Sequence, residues 1–86
     1  MRLTSDPLSN FTFYNMQDSY GNDINNTPGI TLAQAAAAAN ANSSCVGFVF
    51  VGTASSGTAY FKSATTTLTP LTIGGTGTGS GFYKKN

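Results

Sequence analysis

The 86-residue sequence predicts a small α+β domain, in which one short α-helix packs on a four- or five-stranded antiparallel β-sheet. Three observations predict this fold class. An alanine-rich run follows a capping residue at Thr31, a continuous apolar segment follows at 45–51, and aromatic residues alternate over 10–16. A chain of this length forms a single domain, so we assign residues 1–86 to one unit.

The first strand is predicted over 10–16, where Phe11 and Phe13 lie on the same side. Residues 1–9 are expected to form an N-terminal arm. The segment 18–29 is rich in Gly, Asn and Asp and includes Pro28-Gly29, so it is predicted to be a loop.

The helix is predicted over Leu32 to Ala41, because alanine is the best helix former. Thr31 and Gln34 have the spacing of a capping box. A flexible alanine tract is the alternative interpretation. The apolar residues of one helical face are Leu32, Ala35, Ala36 and Ala39.

After the helix, Cys45 to Val51 is apolar on both faces, as in a central strand. Small residues at 53–57 predict a hairpin connection, and 58–63 is the expected partner strand. Pro70 predicts that the segment 65–73 is an edge strand or contains a break in a strand. Residues 74–80 are a flexible Gly/Thr/Ser segment, and 80–84 forms the last expected strand.

Charge limits the classes of partner. Charged residues make up 8% of the chain and the formal net charge is +1. Binding to nucleic acid requires several basic side chains to neutralise phosphates, so nucleic acid is excluded as a partner. No segment approaches the ~18 apolar residues of a membrane span, so membrane insertion is not expected.

The titratable residues argue against an enzyme. The sequence has no His or Glu, and its acids are Asp6, Asp18 and Asp23. General acid–base catalysis usually depends on His or on a carboxylate pair, and no Ser or Thr has a base to activate it. A lone cysteine without His makes no zinc site, and the spacing of Asp18, Asn22 and Asp23 does not match an EF-hand. We therefore predict no catalytic residues, no metal and no cofactor.

The candidate binding residues are aromatic, because tyrosine combines an apolar ring with a hydroxyl group that suits sugars and proteins. The alternative role of each tyrosine is packing within the sheet. Lys62 is added as a residue able to orient an acidic partner. The candidates are Tyr14, Tyr20, Tyr60, Tyr83 and Lys62.

Three sequons, at Asn10, Asn25 and Asn42, are candidate glycosylation sites in an extracellular or cell-surface protein. Cys45 is the only cysteine, so no disulfide closes within one chain. It is interpreted as a buried small residue of the central strand, with an interchain disulfide or a reactive thiol as alternatives.

The order of parts from Thr31 to Ser63 resembles the PAN/apple domain family: a short helix, a strand starting Cys45-Val46-Gly47-Phe48, and a return strand ending Tyr60-Phe61-Lys62-Ser63. The resemblance extends over roughly Phe11 to Lys84. It implies an extracellular adhesion module with four core cysteine positions, which here fall at Ala35, Ala39, Cys45 and Ala59.

In that family one disulfide usually joins the cysteines at the positions of Ala35 and Ala59. The other joins the cysteines at the positions of Ala39 and Cys45. Neither bridge can form here, because three positions are alanine. Disulfides are typically worth about 2–4 kcal/mol each, so we expect neighbouring molecules to supply part of the missing stability.

These observations favour a non-enzymatic extracellular structural module that self-assembles, glycosylated or not, as a filament or surface-layer subunit. Its expected partners are copies of itself, as a homo-oligomer or polymer. The alternative is a carbohydrate- or protein-binding adhesion module of a larger secreted protein, with a glycan or an extracellular protein as partner.

Overall fold

The computed structural model describes residues 8–53, 55–65, 67–71 and 79–86. Its elements in chain order are β1 (Phe11–Asn15), β2 (Gln17–Ser19), β3 (Asp23–Ile30), α1 (Leu32–Ala41), β4 (Gly47–Thr53), β5 (Ser56–Lys62), β6 (Leu68–Pro70) and β7 (Gly81–Lys85). Five strands form one sheet in the order β1-β7-β4-β5-β3, and β2 pairs with β6 in a second, two-stranded sheet. Every pairing is antiparallel, so the predicted α+β class is confirmed, with five strands in the main sheet.

The helix begins and ends where the sequence predicts. The Gln34 backbone N–H donates to Thr31 Oγ1 (3.0 Å), and the Thr31 backbone N–H donates to Gln34 Oε1 (3.0 Å). This capping box satisfies donors that would otherwise lack a partner at the first turn. The alanine run is therefore a capped helix rather than a flexible tract, and its C-cap is Asn42.

One face of the main sheet is covered by α1. The aromatic rings of Phe48, Phe50, Phe61 and Tyr83 lie in this core with Ala59. The buried helix residues that meet them are the four predicted, Leu32, Ala35, Ala36 and Ala39. Three of these are alanines, so the helix can approach the sheet closely and the aromatic rings fill the space between the two layers.

A second core lies on the opposite face of the sheet. Because side chains alternate along a strand, Val49 and Phe82 point away from the helix and pack with Leu71. Leu68 of β6 and Met16 next to β2 lie against this cluster. The small sheet therefore covers the face that the helix leaves open, next to β7.

The prediction of a loop over 18–29 is wrong, since this segment contains most of β2 and most of β3. The error has a physical reason: β3 is an edge strand with mostly exposed side chains, so its polar sequence lacks the apolar alternation of a half-buried strand. It pairs with β5 from Asp23↔Lys62 to Ile30↔Gly57, interrupted by two register shifts. The pairing partner, which is more than 25 residues away in sequence, makes this segment a strand.

The remaining predicted segments agree with the structure in part. The central and return strands are shifted by about two residues from the predicted bounds. Among the described residues of 65–73, Leu68–Pro70 form a strand. The flexible segment 74–80 falls mostly on residues 72–78, which lie outside the described residues. Most of the arm 1–9 lies outside them too, while residues 8–10 form a turn in which the Phe11 N–H donates to the Leu8 carbonyl (3.0 Å). Within the described part of the chain, no helix has the length and apolar character needed to cross a membrane.

Candidate functional site

A pocket of about 300 Å³ opens on the face of the main sheet opposite α1. Its sheet side is formed by Val49 of β4 and by Tyr60 and Lys62 of β5. Its other residues come from the segment that leads from β2 into β3. That set is Asp18, Tyr20, Gly21 and Asp23.

The turn between β2 and β3 positions this segment over the sheet. Gly21 has φ +83° and Asn22 has φ +57°, and this left-handed backbone lets the chain reverse within a few residues. The Asn22 carbonyl accepts hydrogen bonds from the Ser63 backbone N–H (2.9 Å) and from Ser63 Oγ (3.3 Å). Ser63, which directly follows β5, thus holds the turn in place, with Tyr20 beside the pocket.

Lys62 is the most unusual residue of the pocket, because it is only 4% exposed. Its Nζ donates to Oδ1 of Asp23, whose side chain is 45% exposed. The two residues are also register partners in the β3–β5 pairing, so the backbone brings their side chains together. A buried ammonium group requires such a partner, since an unpaired buried charge is strongly unfavourable.

The pocket combines several recognition groups. Two carboxylates, Asp18 and Asp23, and one ammonium give it a formal charge of −1. Lys62 bonds Oδ1 of Asp23, and because a carboxylate can accept several hydrogen bonds, the half-exposed Asp23 can also accept from a ligand. The Tyr20 side chain is at the rim, with 80% of the residue exposed, and Tyr60 is half-buried. This arrangement can bind hydroxyl groups and stack on an apolar ring face.

Three of the five predicted binding residues, Tyr20, Tyr60 and Lys62, therefore meet in one pocket. Tyr14 and Tyr83 do not join them. Tyr14 is half-buried and stacks on Phe82 with 6.2 Å between ring centroids.

Tyr83 is buried in the core beneath α1, where it takes the packing role that the sequence offered as the alternative. Its hydroxyl donates to the Gly79 carbonyl (2.8 Å). Burial raises the pKa of Tyr83 to about 12.

The sequence did not identify Asp18, Asp23, Gly21 or Val49 as binding residues. Asp18 and Asp23 were considered only for catalysis and for calcium, and they now lie in one pocket with Lys62. No group of three or more metal-ligating residues occurs among the described residues. No local signal pairs Asp23 with Lys62, because that contact depends on the register of β3 against β5.

The candidate glycosylation sites are exposed. Asn25 and Asn42 line a smaller groove of about 130 Å³ beside α1. The Asn10 amide donates to Asn40 Oδ1 (2.8 Å), so this side chain is tied to the last turn of the helix.

Ala35, Ala39, Cys45 and Ala59, the four positions singled out by the resemblance, all lie in the core beneath α1. Cys45 is a free, buried thiol, and its Sγ donates to the Gly47 carbonyl (3.0 Å). The three alanines are fully buried and fill their positions by packing.

Comparison with known proteins adds no assignment: no family model matches the chain, and neither a curated protein nor a solved structure matches it.

Proposed function

We propose that this chain is a non-catalytic binding module that holds a neutral sugar residue in the pocket beside Lys62. The observation that carries the proposal is the convergence of Tyr20, Tyr60 and the Lys62–Asp23 pair around one concave site. At about 300 Å³ the site is at the small end of typical ligand pockets, which suits a ligand of one ring rather than an extended chain.

The chemistry of the lining supports a sugar. Each sugar hydroxyl donates and accepts, and the pocket provides carboxylate acceptors, an ammonium donor and a Tyr60 hydroxyl that does both. The exposed ring of Tyr20 offers an apolar face on which the C–H face of a pyranose can stack. The formal charge of −1 disfavours anionic sugars. Lys62 pairs with Asp23, and the pocket lining has no further ammonium group to balance the charge of Asp18.

The wider context follows from the resemblance to the PAN/apple family. Under this proposal the domain is an adhesion module of a secreted or cell-surface protein, with glycans at Asn10, Asn25 or Asn42. These three positions lie outside the lining of the pocket, so their modification is compatible with ligand binding.

The test is a titration of the protein with methyl pyranosides, uronic acids and amino sugars, followed by calorimetry and by NMR shifts of backbone amides. We expect neutral pyranosides to bind and to shift the amides of 18–23 and 60–62. Uronic acids should bind more weakly. Tighter binding of an amino sugar would instead indicate a site for cations, and no binding at millimolar concentration would refute the proposal.

A matched pair of variants separates the pocket from the rest of the surface. Tyr20→Ala removes a ring that is mostly in water, so it should weaken sugar binding while the protein stays folded. Phe13→Ala removes an exposed ring from the opposite face of the sheet and should leave binding unchanged. Equal binding by Tyr20→Ala and wild type would contradict the stacking role.

Self-association is kept as a second candidate function because of one specific observation: β1 is an edge strand whose sequence has no charge, proline or glycine and whose register has no bulge.

A further inference from the structure

The two edge strands of the main sheet differ in how they are protected. The β3 edge has two register shifts, Pro28, and Gly29 at φ +66°. Bulges and proline are devices that prevent an edge from pairing with another chain. The β1 edge has neither: its register runs unbroken from Phe11↔Lys85 to Asn15↔Gly81, and its sequence Phe-Thr-Phe-Tyr-Asn has no charge, Pro or Gly.

The hydrogen bonds of β1 with β7 determine which backbone groups point outward. The Met16 N–H donates to the Ser80 carbonyl, and the Asn86 N–H donates to the Asn10 carbonyl. Both pairs continue the β1–β7 register, so the even-numbered residues of β1 bond to β7. The N–H and C=O groups of Phe13, the N–H of Asn15 and the C=O of Phe11 therefore face away from the sheet.

Phe13 lies at the centre of this edge. Its ring stacks on Tyr83 with centroids 4.5 Å apart, and the residue is still 42% exposed. It is one of the few large hydrophobic residues exposed to this extent among the described residues. An exposed ring held against a buried one provides a fixed apolar surface beside the outward-facing backbone groups of β1.

We propose that two copies of this chain pair their β1 strands antiparallel across a two-fold axis at Phe13, which joins their sheets into one of ten strands. In this register Phe13 faces Phe13 of the second copy, and Asn15 of each copy faces Phe11 of the other. Four backbone hydrogen bonds form: two between the Phe13 residues and two from the Asn15 N–H groups to the Phe11 carbonyls. The Phe11 N–H groups are already used within each chain, by Leu8.

The partner is a second copy because the strand is complementary to itself. A two-fold axis places like residues near one another, so any charge on β1 would oppose its own copy. β1 has no charged residue, and the two exposed rings of Phe13 cover each other. Since each copy uses the same strand, the contact closes as a dimer and does not propagate as a filament.

The dimer leaves the candidate pocket open. The main-sheet residues that line the pocket belong to β4, β5 and β3, and none of the lining residues belongs to β1 or to its neighbour β7. Two pockets would therefore lie near opposite ends of the joined sheet. The proposed dimer depends only on β1, so the test of dimerisation is independent of the test of sugar binding.

Sedimentation velocity over a range of protein concentrations tests the proposal. We expect wild type to be dimeric, and Phe13→Lys and Phe13→Glu each to be monomeric, because each places two like charges at the two-fold axis. An equimolar mixture of the two variants should restore a dimer, since the charges are then opposite. Ile24→Lys, which adds the same charge on the β3 edge, should remain dimeric.

A variant that keeps Phe13 covers the case in which a charge at that position prevents folding. Asn15→Pro removes one outward N–H from each copy, hence two of the four hydrogen bonds, and should raise the dimer dissociation constant about tenfold or more. Circular dichroism reports whether each variant is folded. A wild-type monomer at all concentrations, or an unchanged dimer in folded Phe13→Lys or Asn15→Pro, would overturn the proposal.

Discussion

The ion pair between Lys62 and Asp23 should be strongly asymmetric, so that removing the acid destabilises the protein more than removing the base. Lys62 is 4% exposed, whereas the Asp23 side chain is 45% exposed. Deleting the Asp23 carboxylate leaves a buried ammonium group without its partner. Deleting the ammonium group leaves a carboxylate that water can still solvate.

The magnitudes follow from this difference in burial. Removing one partner of a fully buried pair costs about 3–5 kcal/mol. The Asp23 side chain is half-exposed, so its removal lets water approach the Lys62 ammonium group, and Asp18 lines the same pocket. We therefore expect a smaller cost: Asp23→Ala should lower the free energy of unfolding by about 2–3 kcal/mol. Lys62→Met keeps most of the buried hydrocarbon stem and should cost about 1 kcal/mol or less.

The assay is urea-induced unfolding of wild type, the two single variants and the double variant. Far-ultraviolet circular dichroism and tyrosine fluorescence are suitable signals, because the chain has four tyrosines and no tryptophan. The double variant should be close to Lys62→Met alone, since the acid has no buried charge left to stabilise. Lys84→Met controls for loss of a positive charge, because Lys84 makes no ion pair within the described residues. Additive single effects, or a larger cost for Lys62→Met than for Asp23→Ala, would refute the reasoning.

Three further predictions concern the helix and the core. Thr31→Ala removes the capping box and should cost about 1 kcal/mol in urea unfolding, whereas Thr31→Ser should cost little. Ala36→Leu forces a larger side chain against the sheet and should cost about 1–3 kcal/mol, while Ala37→Leu on the exposed face should be nearly neutral; equal effects would contradict the observed helix orientation. The pKa of Tyr83 is raised from 10.0 in the unfolded chain to about 12 in the folded protein. The neutral Tyr83 side chain therefore contributes fully to the free energy of unfolding below pH 10, and this contribution is lost between pH 10 and 12, because the unfolded state releases the proton first. Tyr83→Phe removes the hydrogen bond to the Gly79 carbonyl and should lower the free energy of unfolding by about 1 kcal/mol at neutral pH. Above pH 10 the stability of this variant should fall less steeply than that of wild type. An equally steep fall would exclude Tyr83 as its source.

Local patterns were sufficient where a segment's own residues decide its structure. The capping pair Thr31 and Gln34 and the alanines between them define α1 by short-range hydrogen bonds and propensity, so its bounds were predicted correctly. The apolar segment that forms most of β4 is buried on both faces of the sheet, and its continuous run of apolar residues predicted this burial. The alternating phenylalanines identified β1.

Prediction was not possible where the decisive contact lies far away in the chain. β3 has the polar composition of a loop and becomes a strand because β5 provides its hydrogen-bond partners. The pocket has the same origin, since its two sides are about 25–45 residues apart in the chain and the β3–β5 pairing brings them together. Two features of the packing exclude the other tyrosines from the pocket, and composition carries no information on either. Tyr83 lies on the helix face of the sheet, and Tyr14, although on the pocket's face, belongs to the edge strand β1 and packs on Phe82.

The sequence alone determined that this is an α+β domain, where its helix lies, that its central strand is apolar on both faces, and that it has few titratable groups for chemistry. These properties are local or compositional, so they do not depend on how the chain is arranged in space. Only the tertiary structure decided that Tyr20, Tyr60 and Lys62 share a pocket, that Tyr83 belongs to the core, and that β1 is an edge strand of the main sheet. Each of these depends on strand order and register, which are set by the packing of the whole domain rather than by any one segment.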